Sequence, residues 1–210
     1  MKTLIEKIFA KIKREPADVE AYEDMFALCR NLEKNDFELA HKTNKRLRTK
    51  LAIQISKGVN VTELFGVYKK TLLFDAPYYF DEYLLYLEIN RPPKQRFYQP
   101  RRKIMKQLVD AIQDLVDDKL DELFLSMPPR VGKTTILMFF ITWIIGRNSE
   151  SSNLYSAYSD VITKAMYNGV LEILNDPTTY LWHDVFPNAK IVQTNAQDET
   201  INIDRKKRYP

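Results

Sequence analysis

Ser126-Met127-Pro128-Pro129-Arg130-Val131-Gly132-Lys133-Thr134-Thr135 is the stretch whose residue types and spacing suit a definite chemistry. A short apolar run, Leu123 to Ser126, leads into it, and a longer one, Ile136 to Ile145, leads away. A predicted strand feeding Gly-Lys-Thr at the start of a predicted helix is the setting of a phosphate-binding loop. Successive backbone N–H groups at the helix start would wrap an anionic phosphate, and the helix dipole adds positive potential there. Gly132 lets the main chain turn and come close. Lys133 supplies a compact cation for the β- and γ-phosphates, and the Thr134 hydroxyl is placed to ligate a bridging Mg²⁺. The pattern G-x-x-x-x-G-K-[ST] asks for a first glycine where this chain has Met127, and Pro128 and Pro129 carry no N–H. The donors must therefore come from Arg130 through Thr135, with the prolines stiffening the front of the loop. The bland alternative is a chance triplet at a helix start.

The elements that must position this loop read as follows. Leu4, Ile5, Ile8, Phe9 and Ile12 follow one helix face, and Pro16 ends that segment. Asp18 is a cap for a second helix to about Asn35. A third runs from Phe37 to Ser56 and stops at Gly58. Thr62 caps a fourth that breaks near Pro77, and Tyr78 to Ile89 is a last short one whose Tyr and Leu side chains suit core packing. Arg91-Pro92-Pro93-Lys94 marks a connection and the expected domain boundary. Residues 1–90 are thus expected to be a helical N-terminal region. Beyond it, a helix at 101–118, strands at 123–126 and 153–159, and helices at 133–146 and 160–174 alternate. The segment 191–194 and the segment 200–204 read as paired strands. Alternating strand and helix argues for an α/β fold with a parallel sheet and right-handed crossovers.

The 210 residues are 45% apolar and 29% charged, which excludes collagen, low-complexity disorder and a disulfide-stapled mini-protein. One cysteine, Cys29, makes no internal disulfide, and two histidines, His41 and His183, make a histidine metal site improbable. The ten residues Ile136 to Ile145 are too few to cross a bilayer, and the N-terminus lacks an uninterrupted signal core. The net charge of +4 is small; 17 Lys/Arg face 14 Asp/Glu in residues 1–95, and 15 face 14 in 96–210. Local basic clusters at 42–50, 96–103 and 205–208 could touch phosphate or be solvated faces.

The loop's departures carry a resemblance. Pro128-Pro129-Arg130-Val131-Gly132-Lys133-Thr134 after a short apolar strand resembles the large terminase subunit of tailed bacteriophages, the ATPase-nuclease that packages DNA. Arg96-Phe97-Tyr98-Gln99-Pro100-Arg101, Tyr155-Ser156-Ala157-Tyr158-Ser159-Asp160, Phe186-Pro187, Thr194-Asn195-Ala196 and Lys207-Arg208-Tyr209-Pro210 look like the same family. The resemblance covers about residues 91–210. It implies a RecA-like P-loop NTPase fold with ATP and Mg²⁺ bound by Pro129, Arg130, Val131, Gly132, Lys133, Thr134 and Thr135. It also implies Thr134 as metal ligand and Arg130 and Lys133 as catalytic residues; Arg130 would stabilise γ-phosphate charge, unless it is an ion pair ordering the loop. Phe97, Tyr98 and Gln99 would be an adenine patch, with an aromatic ring stacked on the base and the amide on its edge; alternatively Phe97 and Tyr98 anchor the connection.

The partners implied are double-stranded DNA, further copies in a homo-oligomeric ring, a portal protein and a small terminase subunit, in the host cytoplasm and transiently at the procapsid portal, with no membrane. An apolar strand ending in Asp or Glu, which such an ATPase needs for Mg²⁺ and the attacking water, is not found: Asp110, Asp114, Asp117 and Asp118 precede the loop, and the 201–204 segment is short. The chain is therefore expected to be an N-terminal piece, an incomplete sheet without the acidic strand and nuclease, with little turnover. Another P-loop motor and a non-catalytic helical interaction module are the competing readings.

Overall fold

The structure, a computed structural model, describes residues 2–148, 151–195 and 199–203. The chain divides into two compact units, 1–75 and 76–210, so the 91–94 connection lies inside the second.

The first unit is built from four helices: α1 (Lys2–Arg14), α2 (Val19–Glu33), α3 (Phe37–Ser56) and α4 (Val61–Asp75). Asp18 accepts from Ala21 N at 3.3 Å and Asp36 from Leu39 N at 3.0 Å, so α2 and α3 each begin on a carboxylate cap. α3 ends where Gly58 takes φ +77°, a left-handed stop that suits glycine. α4 starts one residue before Thr62, so Thr62 lies inside the helix. Ile5, Phe9 and Ile12 of α1 turn inward at helical spacing to join Tyr22, Met25, Leu47, Leu51 and Leu64. Each such buried side chain contributes roughly 1.5–3 kcal/mol. A polar knot ties α3 to α4 within this core. His41 Nδ1 lies 2.5 Å from Asp75 Oδ1, Arg48 donates to Asp75 Oδ2 at 2.6 Å and to Thr71 O at 2.9 Å, and Asn44 donates to Thr71 O at 2.8 Å.

The second unit holds α5 (Phe80–Leu87), a 3-10 turn (Pro93–Gln95), α6 (Tyr98–Val116), α7 (Lys133–Arg147), α8 (Asp160–Asn175) and α9 (Trp182–Val185), then β1 (Ile191–Asn195) and β2 (Thr200–Ile203). α5 packs on α6 and α7, and α8 on α7 and α9. Phe80, Tyr83, Phe139, Trp143 and Trp182 fill the core. Their polar atoms are satisfied within it. Trp143 Nε1 donates to Ala76 O and Trp182 Nε1 to Thr142 O, both at 2.9 Å, and the Thr142 hydroxyl lies 2.7 Å from Tyr83 Oη and 2.9 Å from Phe139 O.

The expected RecA-like parallel sheet is overturned. Among the described residues the only sheet is β1 with β2, antiparallel, pairing Gln193 with Asn202, Thr194 with Ile201 and Asn195 with Thr200. The segments 123–126 and 153–159 form no strand. A strand is stabilised by its neighbours' ladders and by a face to bury, and here neither is supplied: Phe124 is 88% exposed, Leu154 95% and Tyr158 92%. The basic run 205–208, Ala196, Asp204 and the stretch Lys207 to Pro210 lie outside the described residues.

Candidate functional site

The junction of the 126–132 loop with α7 is where the sequence placed phosphate chemistry. Gly132 is the N-cap of α7 at φ +97°, a left-handed turn that lets the main chain enter the helix without a side chain in the way. Arg130 also has positive φ, +63°. Backbone that alternates its handedness in this way turns consecutive N–H groups toward one side, the geometry of an anion-holding nest. No side chain caps α7. Its first-turn N–H groups therefore carry the positive end of the helix dipole outward. Lys133 and Thr134 are exposed, Thr135 half-buried, and Lys133 Nζ donates to Met127 O at 2.8 Å, bridging the loop from its end to its start. Pro129 and Arg130 are exposed and Val131 is half-buried.

The upstream patch reaches the loop through one residue. The Phe97 ring lies against Gly132, where a Cβ would collide with its Cε2 and Cζ atoms. The ring is held from several sides: it meets Phe139 edge-on at 5.9 Å between centroids, and the Arg101 guanidinium sits 5.1 Å over it. Tyr98 is fully buried and donates to Asp81 Oδ1 at 2.5 Å, so its ring belongs to the core and offers no stacking face. Gln99 is exposed, but its Oε1 accepts from Arg96 at 2.5 Å. The structure thus joins Phe97 to the loop, gives Tyr98 a packing role and leaves Gln99 tied to Arg96.

Two acids that sequence reasoning missed hold this end of α6. Glu88 is buried, and its carboxylate accepts from Phe97 N at 2.9 Å and Tyr98 N at 2.8 Å while pairing with Arg91 at 2.9 Å. α6 has no cap from its own N-cap residue, Phe97, so Glu88 meets the orphan N–H groups from ten residues upstream. The available signal was an acid ahead of a helix lacking Ser, Thr, Asp or Asn at its start. Asp81 takes a two-pronged grip from Arg102, at 2.9 and 2.6 Å. Burial works against its charge, but the Arg102 and Tyr98 hydrogen bonds outweigh it and hold its carboxyl below the usual value.

Of the carboxylates weighed as catalytic, Asp110 pairs with Lys106, and Asp114 and Asp117 pair with Lys119. Among the described residues no group of three His, Cys, Asp or Glu side chains could hold a metal ion. The donor set at the α7 start, amides, the Lys133 ammonium and the Thr134 hydroxyl, fits a phosphate anion and a single protein oxygen on Mg²⁺. A cleft of about 450 Å³ between α7, α8 and β2 is lined by Ile141, Tyr155 and Met166 among others and by none of the predicted site residues.

No family model, curated protein or solved structure matches the chain. Among the described residues no helix is long and apolar enough to cross a membrane.

Proposed function

We propose that the loop at residues 129–135 binds the phosphates of ATP, and that the chain serves as the ATPase part of a DNA-packaging motor of the terminase type. The observation that carries this is the left-handed entry of Gly132 into an uncapped α7, with Lys133 folded across the loop beside it. In this reading the backbone N–H groups of Arg130 through Thr135 hold the phosphate oxygens, and Lys133 exchanges the Met127 carbonyl for the β- and γ-phosphates. Thr134 offers its hydroxyl to Mg²⁺, which supplies charge neutralisation between those phosphates. Arg130, exposed on the same loop, balances γ-phosphate charge. Phe97 backs the loop at Gly132 and sets its shape.

Double-stranded DNA, further copies in a ring, a portal protein and a small terminase subunit are the partners this reading carries, in the host cytoplasm and at the procapsid portal. Asp110, Asp114 and Asp117 are engaged by Lys106 and Lys119, and nucleotide binding without appreciable turnover is the expected behaviour. Titration calorimetry with ATP and Mg²⁺ tests it. The wild-type chain should give saturable heat, and Lys133→Ala should weaken binding at least about tenfold, the loss of one charge-assisted contact of ~1.5–3 kcal/mol. Equal heats from both chains would refute the assignment.

A further inference from the structure

The chain's net charge of +4 resides in the first unit. Residues 1–75 hold 15 Lys/Arg and 11 Asp/Glu, and the remainder is balanced. Within that unit the charge is ordered. From Leu39 to Thr62 there is no Asp or Glu, and the exposed side chains of α3 include Lys42, Lys45, Arg46 and Lys50. At 3.6 residues per turn these four fall within an arc of about 140° on one side of the helix. The opposite side carries His41, Asn44, Leu47, Arg48 and Leu51, all buried.

The roll of α3 about its axis is fixed by the polar knot. Arg48 and Asn44 are bound to Thr71 O, and Arg48 and His41 meet Asp75, so the basic row faces solvent by construction. Arg46 is partly spent: it pairs with Glu6 and lies over the Phe9 ring at 4.0 Å. Among the described residues no salt bridge engages Lys42, Lys45 or Lys50. A row of ammonium groups that no salt bridge engages, with Glu38 one turn before Lys42 and Glu6 on Arg46 as the acids beside it, suits a polyanion with regularly spaced charges. A lipid surface is a poorer fit, because the apolar side of α3 is sealed in the core and Ile53 alone breaks the basic face.

We propose that the exposed row Lys42, Lys45 and Lys50 of α3 is a docking surface for the phosphate backbone of a nucleic-acid duplex. The assignment rests on α3 alone and is independent of the nucleotide loop. Such contacts fix position without reading sequence.

The test uses the full chain and fluorescein-labelled mixed-sequence DNA and RNA duplexes, followed by anisotropy across a salt series. Wild type should bind, with log K falling against log salt. The triple variant Lys42→Ala/Lys45→Ala/Lys50→Ala should bind at least about tenfold more weakly, and its salt slope should drop by about 2.7, from ~0.9 per released counterion. Removing the same charge from the second unit with Lys119→Ala/Lys164→Ala/Lys190→Ala should change affinity little. Loss of binding to either duplex in the α3 variant supports the surface. Three outcomes overturn it: no duplex binding by wild type, equal binding by the α3 variant, or an equal loss in the second-unit control. Binding to phosphatidylserine vesicles with no duplex binding overturns it as well. Unchanged circular dichroism shows that the variant is folded. Absence of ATP heat in both chains would sink the loop assignment and leave this one standing.

Discussion

Replacing Gly132 by alanine tests the contact on which the loop's shape depends. The substitution acts twice. An L-residue held at φ +97° pays about 1–2 kcal/mol for the left-handed conformation. The new methyl also enters the space of the Phe97 ring, which cannot swing away cheaply. Its backbone N–H is bound by Glu88, its face is covered by Arg101, and its edge meets Phe139. Overpacking of this kind costs about 1–3 kcal/mol, so Gly132→Ala should destabilise the second unit by about 2–5 kcal/mol. Phe97→Ala alone removes a half-buried ring and should cost about 2 kcal/mol, below the ~3–5 of a fully buried one. In the double variant the collision disappears, and the loss should fall short of the sum by about 1–3 kcal/mol. Both tryptophans, Trp143 and Trp182, belong to the second unit and are fully buried, so tryptophan fluorescence during urea unfolding reads this unit by itself. Additivity of the single variants to within about 0.5 kcal/mol would show that Phe97 does not rest on Gly132.

Two further predictions concern buried groups. Burial pushes the Cys29 thiol up to about 12 and leaves it with no exposed surface, so an aromatic disulfide reagent at mildly alkaline pH should label it only as the first unit opens. Prompt labelling of the native chain at the rate of a free thiol would contradict the packing of α2. Asp81→Asn should cost the second unit about 1–3 kcal/mol at neutral pH by unbalancing Arg102 and Tyr98. Because the Asp81 pKa is lowered from 3.8, its contribution is complete above that value and is lost as pH falls through the lower folded value. The gap between wild-type and variant urea midpoints should therefore close below about pH 4; a gap constant with pH would exclude the charged pair.

Much of the helical architecture could be read from spacing alone. Ile5, Phe9 and Ile12, the Asp18 cap and the Gly58 stop are local signals, and local physics decides them. The pairing of 191–195 with 200–203 was visible for the same reason, as two short runs expected at 191–194 and 200–204 on either side of a polar stretch. The strands expected at 123–126 and 153–159 failed because four or five apolar residues specify no strand without a ladder to join, and Phe124, Leu154 and Tyr158 are left facing solvent. At the site, the turn at Gly132 followed from residue type, since only glycine enters that conformation freely. The placement of Phe97 against it did not, because the two lie 35 residues apart in sequence and meet only in the folded unit. Glu88 escaped notice for a related reason: its role is to satisfy amides that the sequence does not show to be unsatisfied.

Thr142 bears on how this chain tolerates change over generations. One small side chain and its own carbonyl serve a phenol from α5, an indole from α9 and a peptide oxygen of α7 itself. Valine would match its outline and strand the Tyr83 hydroxyl, while serine would keep the oxygen and open a void. Neither neighbour can drift unless the other adjusts in step, so this position is a bottleneck for divergence. The exposed residues at the start of α7 sit outside that bottleneck, and the same helix can keep its footing while its entrance is rewritten.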